Sequence, residues 1–299
     1  AQINDTLNKM NKTFIVLLAP SRGAFYKELA PAWYDLTPVH ESDYQRYGRL
    51  LSNTKIRCID FNKAFMNMKN TSEYPLYTKC GIHWSTYGAT LAADSIVKYV
   101  EKERGIDLPD KKKKKIELSK KARGVDADLN NTLNLIWDVK NDEMAYPQLS
   151  FNKEGKGKAT LLTIGDSYYL GALGTNVIGS AFEENCFWYY NNSIWSSGPN
   201  NGKTTKDINF MTEIGNHDVI TIIATESTLT NFGWGFIEQA WDLLCKQDEE
   251  DVKQYMKKIE SDTAWYKIIV EKAKAKNIDV NVQLRQDAKY MVDLEKQKK

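Results

Sequence analysis

The sequence predicts an α/β fold, a mainly parallel sheet flanked by helices, and three observations carry that reading. Short apolar runs rich in β-branched residues recur along the chain and end in turn residues. Segments with helical spacing alternate with them. One of the runs, Val219 to Ala224, is apolar or Thr throughout, the pattern of a strand buried on both faces of a parallel sheet.

Taken in order, Phe14 to Ala19 reads as a buried strand stopped by Pro20 and Ser21, and Lys55 to Asp60 as a second strand. From Ser85 to Val100, Leu91, Ala92, Ile96, Val97 and Val100 share one helical face while Asp94, Ser95 and Lys98 lie opposite, which predicts an amphipathic helix. The five lysines from Lys111 to Lys115 stand in a region poor in large apolar residues and read as a solvated loop or a frayed helix start. Ala159 to Ile164 is the clearest strand, followed at once by Gly165-Asp166-Ser167 and a helix-compatible stretch from Tyr168 to Leu173. Further strands are expected at residues 186–190 and at Val219 to Ala224. From residue 246 onward Lys, Glu and Asp dominate, with sparse apolar positions at Trp265, Ile268, Ile269 and Ala273. The expected division is a main domain over residues 1–245 and a helical C-terminal extension over 246–299, packed on the main domain as two or three exposed helices.

The chain has 299 residues, 42% of them apolar and 11% aromatic. Domain cores stop growing near roughly 250–300 residues, so this length fits one large domain, with or without an appendage. Lys plus Arg number 41 against 39 Asp plus Glu, too balanced for the basic footprint of a nucleic-acid binder. The lysine run alone would predict steeply salt-dependent nucleic-acid binding, and the overall charge argues against it. No run of about 18 apolar residues is present to span a membrane. The first residues, Ala1-Gln2-Ile3, suit a chain whose targeting segment has been removed, and export is the expectation.

Cys58, Cys80, Cys186 and Cys245 contain no C-x-x-C pair, and His40, His83 and His217 form no H-E-x-x-H motif. No metal or other cofactor is expected on these grounds. Bridged and free cysteines are both compatible with the count.

Gly165-Asp166-Ser167 at the exit of a buried strand gives a glycine for close backbone approach and a serine at a helix N-terminus. Free N–H groups there can stabilise an oxyanion, so Ser167 is a candidate nucleophile; a capping serine is the plainer reading. A serine hydroxyl needs a base, and histidine suits that duty near neutral pH. His40 lies in a polar loop, and His217, beside Asn216 and Asp218, reads as solvent-exposed. His83, within Ile82-His83-Trp84-Ser85, emerges at the start of the amphipathic helix and stands apart from the other two as a candidate base; on position alone a structural role is the plainer reading.

Cys80-Gly81-Ile82-His83-Trp84-Ser85-Thr86-Tyr87-Gly88-Ala89, followed some eighty residues later by Leu162-Thr163-Ile164-Gly165-Asp166-Ser167-Tyr168, resembles the alginate O-acetyltransferase (AlgJ/AlgX-like) branch of the SGNH hydrolase superfamily. That family carries an Asp-x-His-Trp motif with Gly-Ala ahead of Gly-Asp-Ser, in this order. Ala19-Pro20 with Tyr26 and Pro31, and the strand from Asp218 to Glu226, are similar to further parts of it. The resemblance implies a flavodoxin-like SGNH fold over roughly residues 10–245. It also implies a serine-dependent O-acyltransferase, Ser167 and His83 as catalytic pair, a polysaccharide or oligosaccharide acceptor, a membrane-bound O-acyltransferase that delivers acetyl groups, and a periplasmic or otherwise extracytoplasmic location.

Gly81 stands where the family has its aspartate. Three readings follow. Another acid, such as Asp60 or Glu226, orients His83; a backbone carbonyl does so in a Ser-His dyad; or the protein is a catalytically impaired carbohydrate-binding homologue. Gly165 and the Ser167 turn, with Asn191, Asn192 and Tyr168, are the candidates for oxyanion or substrate contacts. Tyr168, Tyr169, Trp188, Tyr189, Tyr190, Trp195 and Trp234 offer aromatic faces for sugar rings, about half of them expected in the core. Water in place of a sugar hydroxyl would make the protein a carbohydrate esterase.

Overall fold

The computed structural model describes residues 1–33, 40–133, 136–137 and 139–297. They divide into two compact units, Ile3–Ile237 and Glu238–Lys299, apart from the first two residues.

The larger unit is built on a six-stranded sheet of β1 (Thr13–Ala19), β2 (Arg57–Asp60), β5 (Thr160–Gly165), β6 (Glu184–Tyr189), β7 (Ser193–Ser196) and β8 (Val219–Thr225), in the order β2-β1-β8-β5-β6-β7. All neighbours are parallel except β6 and β7. The mixed α/β architecture with a mostly parallel, helix-flanked sheet is as expected. The last parallel strand, β8, lies centrally between β1 and β5, and both it and β1 are buried along their whole length. Such strands carry largely apolar side chains on both faces, which explains their Ile, Val and Leu content, with only the buried Thr221 inside the β8 run.

One face of the sheet, through Ile15, Leu17, Leu161, Phe187 and Ile223, packs against Phe61, Phe65, Trp84, Ala89, Ala93 and Ile96. The last three lie on the helix Thr86–Arg104, whose start is capped by the Ser85 hydroxyl accepting from the Gly88 N–H. It ends at Gly105, whose φ of 63° is the left-handed conformation that glycine adopts without strain. On the other face Trp188 packs on Phe210 and Phe236.

Two local expectations are corrected. The lysine run is a strand, β3 (Asp110–Ser119), paired antiparallel with β4 (Met144–Asn152). Leu149 and Phe151 of β4 pack on the main core, so the partner strand supplies the apolar surface that the lysines lack. Residues 191–204, rich in Gly, Asn and Ser, read in the sequence as a loop, but strand β7 lies within them, because a three-residue turn with Tyr190 and Asn191 at positive φ folds the chain back on β6. In the smaller unit the helices Lys246–Ser261, Thr263–Lys276 and Val280–Gln297 build a core of their own from Val252, Tyr255, Ile259, Ile269, Leu284, Ala288 and Val292. Sparse apolar positions suffice there because each helix needs only one apolar stripe.

Among the described residues no helix is long and apolar enough to cross a membrane, and no disulfide is present.

Candidate active site

Strand β5 ends at Gly165, which pairs with Ile223 on one side and Tyr189 on the other. A Cβ at Gly165 would lie 2.2 Å from Ile223 Cγ2 and 3.0 Å from its carbonyl oxygen, so only glycine lets β5 and β8 close here. Asp166 locks the turn. Its Oδ1 accepts from the Tyr168 N–H, and its Oδ2 from the Thr225 N–H and the hydroxyls of Thr225 and Thr228. Ser167 opens the short helix Tyr168–Gly174, yet its hydroxyl makes no capping bond. The plain reading of a capping serine is thereby removed, and the hydroxyl is directed elsewhere.

It meets His83. The Ser167 Oγ lies 2.8 Å from His83 Nε2, and His83 Nδ1 lies 2.5 Å from Asp128 Oδ2. Two hydrogen bonds brace the histidine segment against the serine turn: the Trp84 indole N–H donates to the Tyr168 carbonyl, and the Tyr168 hydroxyl donates to the Ile82 carbonyl. The Tyr168 ring lies 5.0 Å from the imidazole, centroid to centroid.

The third member is neither Asp60 nor Glu226. Asp60 accepts from the Tyr44 hydroxyl and caps the following helix through the Lys63 N–H. Glu226 is half-buried beside Asn62, and burial raises its carboxyl pKa. Both are committed to the β2 side of the sheet. Asp128 occupies the ground that Gly81 leaves open: a Cβ at residue 81 would lie 2.8 Å from the Val125 carbonyl oxygen and 3.1 Å from Asp128 Oδ1. The missing side chain and the acid that replaces it are thus two halves of one packing solution. The Asp128 Oδ1 also accepts from the Ile82 N–H at 2.8 Å.

The segment that carries Asp128 is pinned by polar contacts. Asp126, fully buried, accepts from the Thr86 N–H and hydroxyl at the start of the long helix. The Thr78 hydroxyl donates to the Asp126 carbonyl, and the Asn130 N–H to the Cys80 carbonyl. Burial works against ionisation of Asp128, but the bonds from His83 and the Ile82 N–H outweigh it and hold its carboxyl below the ordinary value of 3.8. An ionised Asp128 can only accept. The His83 Nδ1 therefore carries the proton, and the Nε2 lone pair faces the Ser167 hydroxyl.

The sequence profile of the SGNH hydrolase-like domain of acetyltransferase AlgX matches residues 1–167, more than half of the chain and up to the serine itself. The chain belongs to this family. Among solved structures, Bacillus cereus PatB1 with a sulfonyl adduct superposes with a TM-score of 0.50 at 13% identity, covering 76% of this chain and 88% of that one. The O-acetyltransferase domain of Pseudomonas putida AlgJ gives 0.49 at 13% identity over 81% of this chain and 86% of its own. Pseudomonas aeruginosa AlgX gives 0.46 at 14% identity over 75% of this chain and 53% of its own. No curated protein matches the sequence.

The other expected contact residues of this AlgX-type domain are placed as follows. Tyr168 is buried and braces the histidine segment rather than lining an open mouth. Asn191 donates its amide to the Trp234 carbonyl and holds the turn around residue 234, while Asn192 is exposed. Of the seven aromatics, Tyr168, Tyr169 and Trp188 are buried in the core. Tyr190 and Trp195 are exposed, at 38% and 50%. The Tyr190 N–H donates to the Gly165 carbonyl, and its phenol neighbours the Ser167 side chain. With Tyr189 at 4.4 Å and Trp234 at 5.2 Å, Tyr190 forms an aromatic wall beside the serine. His40 is exposed, as read, but His217 is buried with 1% exposure, because the end of the helix Phe210–Asn216 turns it inward.

Asp128 is the residue that sequence reasoning missed. The signal present was Gly124-Val125-Asp126-Ala127-Asp128, two acids next to a Gly after the cationic stretch. No spacing rule ties such a pair to a histidine 45 residues earlier.

Proposed function

We propose that this chain is a serine-dependent O-acetyltransferase acting on a polysaccharide, through an acetyl-serine at Ser167. The single observation that carries the reading is His83 bridging Ser167 Oγ at 2.8 Å and Asp128 Oδ2 at 2.5 Å. Ser167 Oγ attacks the acyl carbon of the donor while its proton passes to His83 Nε2, and Asp128 stabilises the imidazolium that forms. The tetrahedral oxyanion collapses, the donor's leaving group takes the proton from His83, and the acetyl ester of Ser167 remains. A sugar hydroxyl then gives its proton to Nε2 as its oxygen attacks the ester carbonyl. The Ser167 oxygen leaves and recovers that proton.

The backbone N–H of Ser167, at the turn, is the proposed first donor to the oxyanion. Tyr189, Tyr190 and Trp234 offer faces on which a sugar ring can stack. In keeping with the family, the proposed setting is extracytoplasmic, with a membrane-bound O-acyltransferase as the source of acetyl groups. Asp128 beside His83 supports the enzymatic reading over that of an impaired binding protein, whose premise is a histidine without an acid.

The test is acetyl transfer from p-nitrophenyl acetate to a panel of polysaccharide oligomers, read by mass. Acetylated oligomers with the wild type and none with Ser167→Ala are expected. Release of p-nitrophenol with no oligomer acetylated would make the protein an esterase, and background rates for both proteins would remove the enzymatic reading.

A further inference from the structure

The face of the sheet opposite the helix Thr86–Arg104 carries a second cluster of chemistry-bearing side chains. Cys186 lies on β6, Glu213 lies on the helix Phe210–Asn216, and His217 caps that helix four residues after the glutamate. All three are buried, and one ligand atom from each lies within 4.8 Å of the other two.

The histidine is arranged as a ligand is. Its Nδ1–H donates to the Glu213 carbonyl at 2.7 Å, which fixes the tautomer and leaves a lone pair on Nε2. That Nε2 is buried and has no hydrogen-bond partner. Buried polar atoms are nearly always satisfied, so an unpartnered imidazole acceptor on a histidine clustered with a thiol and a carboxylate calls for an occupant. The Glu213 carboxylate is itself oriented, since its Oε1 accepts from the Asn200 amide at 2.8 Å. An outer-shell bond on a ligand side chain is the usual companion of a metal site.

We propose that Cys186, Glu213 and His217 bind one divalent transition-metal ion of the zinc type. Thiolate, imidazole and carboxylate together favour Zn²⁺ or Co²⁺ over Mg²⁺ or Ca²⁺, which take all-oxygen shells. Three protein donors leave one tetrahedral position for a water. The ion would tie the helix Phe210–Asn216 to β6. A spacing rule could not find it: Glu213 and His217 share one helical turn, but the cysteine comes from another element.

The experiment is a Co²⁺ titration of the full chain after chelator treatment, followed by absorbance. One equivalent should saturate, with a sulfur-to-cobalt charge-transfer band in the near ultraviolet and the visible bands of tetrahedral Co²⁺. Cys186→Ser should abolish the charge-transfer band. His217→Gln, which keeps every cysteine, should weaken binding by about tenfold or more. Labelling of Ser167 by a fluorophosphonate serves as the control that each variant is folded. If Cys186→Ser fails that control, His217→Gln decides alone, and Zn²⁺ should raise the melting temperature of the wild type but not of His217→Gln. No charge-transfer band in the wild type, or a band equally strong in both variants, would overturn the proposal.

Discussion

The turn that presents Ser167 and the segment that presents Asp128 serve the same imidazole and are held by different physics. Ser167 stands at the end of a strand buried between neighbours, where a glycine in contact with Ile223 and an aspartate accepting four hydrogen bonds leave the backbone one course. Asp128 begins a short helix at the end of the 3-10 turn Gly124–Ala127 and owes its place to the hydrogen bonds that the Asp126 carboxylate accepts from Thr86 and to the space left by Gly81. A nucleophile is placed by sheet geometry, which is local and rigid. An orienting acid needs only to bring one oxygen to one nitrogen, and distant parts of a chain can supply it.

The contrast can be tested from both ends. Ser167→Ala should show the largest loss, on the order of 10⁶ in turnover. It should leave the melting temperature nearly unchanged, because the hydroxyl caps nothing. Asp128→Asn should lower turnover by on the order of 10⁴, the loss expected when an imidazole is held in the wrong tautomer. Gly81→Asp, which writes the family's aspartate back into the motif, should impair the protein by pressing on Asp128 and the Val125 carbonyl, and should cost about 1–3 kcal/mol in denaturant unfolding. Combined with Asp128→Gly, the same substitution should recover part of the activity that Asp128→Gly alone removes; no recovery would mean that the acid's position is not exchangeable.

The smallest effect concerns pH. The depressed carboxyl of Asp128 stabilises the fold above its ordinary value of 3.8, and that contribution is lost as pH falls through the lower folded-state value. Wild type and Asp128→Asn should therefore converge in stability below pH 3.8 and separate above it, as followed by chemical denaturation.

The strands at Phe14 to Ala19, Ala159 to Ile164 and Val219 to Ala224 are legible in the sequence because burial on both faces demands largely apolar runs. The helix after His83 is legible because its two faces differ. The pairing of β3 with β4 is not, since lysines gain an apolar partner only once Leu149 and Phe151 arrive from elsewhere in the chain. Ser167 and His83 are visible as short motifs at element boundaries. Asp128 leaves no such trace: its function depends on a contact across 45 residues, and periodicity carries no information about such contacts. His217 misleads for a related reason, as its polar neighbours Asn216 and Asp218 suggest solvent while the helix end turns the ring inward.

The account rests on Ser167 accepting an acyl group with His83 as base and Asp128 behind it. The direct measurement is acid-quenched mass analysis of the protein after brief reaction with p-nitrophenyl acetate, with peptide mapping of the adduct. One acetyl group on Ser167 is predicted in the wild type, with its formation slowed by on the order of 10⁴ in Asp128→Asn. A wild type that carries no acetyl group on Ser167, or an Asp128→Asn variant that acquires it equally fast, would contradict the account.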